Sequence, residues 1–419
     1  PMTALDVVRR RLYAFSLIDE IGPLYAVYTL LFLDNGLSAS QISTVFVIWA
    51  AVAIALEIPS GAIADMVDRR PLVAVALGLR AVGIAVWLIE PSYAGVLVGA
   101  ALWALHTSLA SGAWEALVHD ELAALDAADE YAPVMARIGQ FSNLGIATGT
   151  IVATVALSLG GSIELLGWIT VAFHLVSIRQ VVVLPDVRWV SADPHHGSEE
   201  PTSGASAVAE WTATMRDGLR EIARSRTLVG LVAITAVFEG LFVVDEYVPL
   251  LARDRGADDA LVPVFVLAVW VGLLAGGELA ARRPRLPPAV LGPALAAGAA
   301  LMAVAVQVES LRVLVLVGIG YAAHEAIWVL GDARLQERIG ARRRATVTSV
   351  RSFLAGILAT LAFLVVGAWS SGDDPRRGLL AVVAVLAATG VAATWLVPPA
   401  ELATGRGTAT DPPGDGDPR

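Results

Sequence analysis

The chain has 419 residues, of which 56% are hydrophobic and 16% charged, against about 25% charged in a soluble domain, so composition alone reads as a membrane protein. Its net charge of −10 comes without a basic stripe, and no nucleic-acid partner is expected. With no cysteine, disulfides, thiolate metal sites and cysteine nucleophiles are excluded.

Apolar windows long enough to cross a hydrocarbon core of about 30 Å as helices follow one another along the chain. Six cover residues 12–33, 42–63, 72–89, 94–118, 134–157 and 163–184. Six more cover 227–251, 261–281, 288–308, 311–330, 345–369 and 379–397. Arg9, Arg10 and Arg11 lead into the first window without an A-x-A-like cleavage site, so it reads as a span and not a removable signal. The expected organisation is an N-terminal six-helix bundle over 1–184, a cytoplasmic linker over 185–226, a C-terminal six-helix bundle over 227–397 and a tail over 398–419. The linker starts rich in Pro, Ser, Gly, His and acids, and 211–224 alternates apolar and charged groups like a surface helix. The Gly-, Pro-, Thr- and Asp-rich tail is expected to be disordered.

Arginine sets the orientation. With the N-terminus inside, the inner segments collect most arginines, and the outer loops hold only Arg253, Arg255, Arg312, Arg376 and Arg377. Both termini are therefore expected in the cytoplasm. All 29 basic residues are arginine, so a P-loop lysine and a Schiff-base lysine are excluded, and no cofactor is expected. Lysine-free, alanine-rich usage points to a GC-rich bacterial genome, hence to a bacterial cytoplasmic membrane.

The gap between the second and third spans is a short charged hinge with Glu57, Gly61, Asp65, Arg69 and Arg70. Four-residue spacing lays Glu57, Gly61, Asp65 and Arg69 along one helix face, where small Gly61 lets another helix approach and Asp65 can meet a cation. An internal repeat links the two sets of spans: Glu115-Ala116 is echoed by Glu325-Ala326, Asp120 by Asp332, Arg137 by Arg351 and Phe141 by Phe353.

The hinge resembles the loop between helices 2 and 3 of the major facilitator superfamily, where G-x-x-x-D-x-x-x-R-[RK] recurs; Asp68 stands where that family usually has Gly. Glu57-Ile-Pro-Ser-Gly61, Ser111-Gly-Ala-Trp-Glu-Ala-Leu-Val-His-Asp120 and Arg344-Ala-Thr-Val-Thr-Ser349 extend the resemblance toward a bacterial branch containing presumed exporters of drugs and metabolites. The resemblance implies an all-α membrane fold of twelve transmembrane helices in two pseudo-symmetric six-helix bundles. It also implies a cytoplasmic gate, to which Glu115, Asp120 and Arg137 are assigned together with the hinge residues. Two departures stand out. His106 follows Leu102 where drug–proton antiporters often have Arg, and only Gly145 and Gly149 remain of the usual helix 5 glycine motif.

Ionisable groups at mid-membrane are expensive and face a cavity or a partner. Asp19 and Glu20 in the first span and Glu239 in the seventh are the candidates for proton or substrate coupling. Arg80 is placed to meet one acid of the first span, whereas Glu239 has no obvious partner. Asp245 and Glu246 are expected nearer the outer end, facing an outer vestibule. His106 is a possible relay, although a lone histidine in an apolar window, like His174, is more often a hydrogen-bonded core residue. No H-E-x-x-H or G-x-S-x-G motif supports an enzyme. The expected function is a monomeric secondary transporter working by alternating access, exporting small amphipathic or drug-like molecules against proton entry. An importer or facilitator of a small metabolite is the alternative, and a non-transporting membrane receptor a remote one.

Overall fold

The computed structural model describes residues 3–184, 204–339, 344–371 and 374–399; for 57–66, 111, 204–211 and 345 it describes the backbone alone. The tail from 400 onward and the early linker, 185–203, lie outside the described residues. Backbone groups in hydrocarbon must satisfy one another, so the apolar windows form helices. Thr3 and Asp6 form a capping box on α1 (Ala4–Asp19). The first span is not continuous. Gly22 and Pro23 follow, a 3₁₀ turn occupies Pro23–Ala26, and α2 (Tyr28–Asp34) completes the crossing. Proline has no N–H to donate and crowds the preceding turn, which stops the helix there.

Single helices make the next five spans: α3 (Ala39–Met66), α4 (Arg69–Ile89), α5 (Tyr93–Ala123), α6 (Tyr131–Ser158) and α7 (Ile163–Val182). Side chains of Asp68, Ser92 and Ser162 accept from free N–H groups at the starts of α4, α5 and α7, fixing where each begins. The amphipathic α8 (Gly204–Ala223) follows and packs on α3, α9 and α14. The seventh span breaks as the first does, into α9 (Arg226–Gly240), a 3₁₀ turn at Asp245–Tyr247 and α10 (Val248–Asp254), with Pro249 just past the break. The remaining spans are α11 (Val262–Arg282), α12 (Pro288–Gln307), α13 (Val315–Arg338), α14 (Arg344–Trp369) and α15 (Arg376–Leu396). Among the described residues eleven spans are long and apolar enough to cross a membrane; the split first span makes the twelfth crossing.

The two halves repeat one packing scheme. In the first, α4 packs on α5 and α7, α3 on α5, and α1 on α6 and α7. In the second, α12 packs on α13 and α15, α11 on α13, and α9 on α14 and α15. The halves meet through α3 against α14 and α6 against α11, contacts that exchange under the same pseudo-twofold. The outward surface carries exposed Val and Leu side chains, such as Val155, Val271 and Leu274, with Trp168, Trp369 and Trp395 exposed toward span ends, as lipid-facing helices require.

Candidate functional site

Between the halves lies a cavity of about 640 Å³, built around the two broken spans. At the first break, Asp19 closes α1 and Glu20 caps it. Arg80 from α4 donates to Asp19 Oδ1 at 2.5 Å, and the two side chains are 6% and 12% exposed. His174 Nδ1 lies 3.8 Å from the same oxygen, while its Nε2 is 2.8 Å from the Tyr25 hydroxyl. Asp19 is thus committed to a buried network, and breaking such a pair costs about 3–5 kcal/mol. Glu20 also lines the cavity but makes no ion pair among the described residues. Gly145 lets α6 press on this break: a Cβ there would sit 2.4 Å from the Leu17 carbonyl oxygen and 2.8 Å from Glu20 Cβ.

At the second break the expectation for Asp245 and Glu246 needs correcting. Both line the main cavity and not an outer vestibule. The Tyr321 hydroxyl donates to Asp245 Oδ1 at 3.0 Å, and the Tyr28 hydroxyl, from the other half, donates to Glu246. A signal for these residues exists in the sequence. Asp19-Glu20-Ile-Gly-Pro23-Leu24-Tyr-Ala26 and Asp245-Glu246-Tyr-Val-Pro249-Leu250-Leu-Ala252 share Asp-Glu-x-x-Pro-Leu-x-Ala, one copy at each break.

Glu239 is corrected in the opposite direction. It is not unpartnered: Arg351 Nε lies 3.2 Å from its Oε2, and Arg351 also pairs with Asp332 and stands 5.9 Å from the Trp328 ring. The reason is helix packing. Gly240 brings α9 so close to α14 that a Cβ would stand 2.4 Å from the Ala355 carbonyl oxygen, which levels Arg351 with Glu239. His106 lines the cavity, with Nδ1 2.9 Å from the Ala76 carbonyl oxygen.

Of the proposed gate residues, the structure joins some and separates others. Arg69 pairs with Asp120, and Arg70 pairs with Glu121, whose side chain is only 1% exposed and which the sequence reading missed. Arg70 further donates to the Leu184 carbonyl oxygen at 2.8 Å. Arg137 instead donates to Gln140 at 2.8 Å, and among the described residues it makes no ion pair with Asp120 to match that of Arg351 with Asp332. Glu115 is exposed and lines the cavity. Glu57, Gly61 and Asp65 lie on α3, with side chains outside the described residues.

The cavity reaches toward the face bearing the N-terminus, where Glu115 and Gly139 line it and are exposed. At the other end the halves are tied. Tyr28 bonds Glu246, Ser43 Oγ lies 2.7 Å from the Tyr247 hydroxyl, and Asp34 pairs with Arg253. Among the described residues the cavity is thus lined by exposed groups at the N-terminal face and crossed by bonds between the halves at the other.

Comparison of the sequence with curated proteins yields no match. Among solved structures, the nucleoside transporter NupG is similar with a TM-score of 0.70 at 12% identity, covering 93% of this chain and 98% of that one. A bacterial homologue of the human lysosomal transporter Spinster, inward-facing and unoccupied, gives 0.67 at 15% identity, with 93% and 97% covered. A D-xylose–proton symporter gives 0.64 at 15% identity, with 94% and 96% covered. The family model of the Major Facilitator Superfamily matches residues 12–363, and with two matching halves around a central cavity this chain belongs to that superfamily.

Proposed function

We propose that the chain is a secondary transporter that works by alternating access and exports small amphipathic molecules in exchange for protons. The carrying observation is the central cavity: carboxylates stand at the breaks of two pseudo-equivalent spans, and among the described residues the side-chain bonds between the halves lie at the end away from the N-terminus. Rocking of the halves would release the ties among Tyr28, Glu246, Asp34 and Arg253 and close the opposite end. Glu20, Asp245 and Glu246 are the coupling carboxylates of this reading, because each lines the cavity and lacks an ion pair among the described residues. Asp19 and Glu239, held by Arg80 and Arg351, serve structure. The Arg69–Asp120 and Arg70–Glu121 pairs, with Glu57, Gly61 and Asp65 on α3, form the gate at the N-terminal face. On the arginine distribution that face is cytoplasmic, and the protein acts as a monomer in the bacterial cytoplasmic membrane.

A second reading is import. The neighbours include a nucleoside transporter and a sugar–proton symporter, and the same cavity would serve symport. Inverted and right-side-out vesicles carrying an imposed pH gradient, screened against a mixed library of small amphipathic solutes, separate the two. Export requires gradient-dependent accumulation in inverted vesicles; accumulation confined to right-side-out vesicles establishes import, and gradient-independent equilibration removes proton coupling.

A further inference from the structure

A second pocket of about 100 Å³ adjoins the main cavity at Glu246, and Tyr28, Trp103 and Glu246 line both spaces. Its walls are aromatic: Tyr28, Phe32, Phe46, Trp87, Trp103 and Phe363. The rings brace one another, with Trp87 and Trp103 centroids 5.4 Å apart, Tyr28 stacked 5.9 Å from Trp87, and Phe46 4.9 Å from Phe363. Glu246 is the one charged side chain among the described residues of this pocket.

The polar chemistry of the pocket favours one kind of guest. Trp87 Nε1 is already donated to the Val96 carbonyl oxygen at 3.0 Å, and the Tyr28 hydroxyl is donated to Glu246. An anion would meet a carboxylate and the negative faces of the rings. A cation meets the same groups as attraction, by charge and by the ring quadrupoles. Donation from Tyr28 to a carboxylate also enriches its ring in electrons, which strengthens that face. The main cavity repeats the preference: Asp19, Glu20, Glu115, Asp245 and Glu246 line it against Arg80, which Asp19 already holds. The pocket volume equals roughly three water shares of about 30 Å³, the scale of a small alkylammonium head.

We propose that the side pocket is a receptor for the ammonium head of an organic cation, with the apolar body of the guest remaining in the main cavity. This rests on the transporter reading for its role but not for its test, because binding needs no gradient. The measurement is equilibrium binding to the purified full chain, using benzyltrimethylammonium, and using choline against its neutral tert-butyl isostere. Saturable cation binding is expected, with the isostere at least about tenfold weaker. Glu246→Gln and Trp103→Leu should each weaken cation binding by about tenfold, whereas Trp103→Phe should keep most of it. Glu278→Gln, on the exposed side of α11, should change nothing. If Glu246→Gln fails to fold, Trp49→Leu at the half-buried wall decides in its place, and a loss of cation affinity supports the site. Equal binding of cation and isostere, undiminished binding by the folded wall variants, or no saturable cation binding overturns the proposal. Cation binding without flux of any solute, driven or gradient-independent, would remove the transporter reading and leave this site standing. Flux of neutral solutes without cation binding would do the reverse.

Discussion

Asp19 and Glu20 are neighbours in the chain with opposite surroundings. Asp19 shares a buried ion pair with Arg80, while Glu20 faces the cavity without such a partner among the described residues. Asp19→Asn therefore leaves a buried guanidinium without its countercharge and should lower stability by about 3–5 kcal/mol, read as a fall in melting temperature of the purified protein. Adding Arg80→Met should recover part of that loss. Glu20→Gln should leave the melting temperature nearly unchanged and abolish the response of transport to a pH gradient, while gradient-free exchange persists. If exchange and driven transport fall together, Glu20 binds substrate and does not couple protons. At the proposed gate, Arg70→Ala should destabilise more than Arg69→Ala, because Glu121 is nearly inaccessible to water whereas Asp120 is 29% exposed. Equal effects on melting would contradict that ordering. The acids themselves were legible in the sequence as charges in apolar windows. Arg80 as the partner of one first-span acid was legible from its depth as well, but the partner of Glu239 was not: Glu239 meets Arg351 because two helices entering from the same face pack at Gly240, a lateral contact that depth along one helix does not encode.

The broken spans set the position of every cavity carboxylate except Glu115. Hydropathy revealed the lengths of these elements and concealed the breaks, since an apolar window looks the same whether its helix is continuous or interrupted. Pro23 and Pro249, with the repeated Asp-Glu-x-x-Pro-Leu-x-Ala segment, were the local signal. The glycines of α6 were legible as a residue of a family motif; their physical role is close approach to the first break. Gly145→Leu should drive α6 away from Leu17 and Glu20 and cost about 1–3 kcal/mol, with misplaced Glu20 and impaired transport. Gly112→Leu, at a position where a Cβ meets nothing within 4 Å, is the control. Equal melting temperatures for the two variants would show that the contact at Gly145 does not hold the break.

For the whole molecule, the count of spans and their grouping into two halves followed from hydropathy, and the orientation expectation followed from where arginine accumulates. Which end of the cavity carries the ties between the halves did not follow, because it depends on contacts between residues about half the chain apart, such as Asp34 with Arg253. Alternating access requires those contacts to part in every cycle. The absence of native cysteine gives a clean background for Asp34→Cys with Arg253→Cys, joined by a cleavable thiol cross-linker. The deciding measurement is flux, in sealed vesicles, of the solute that the gradient screen identifies, before cross-linking, after it and after cleavage. The expected result is flux that falls to the protein-free level when the halves are joined and returns when the linker is cut. Undiminished flux through the joined protein would contradict transport by relative movement of the two halves.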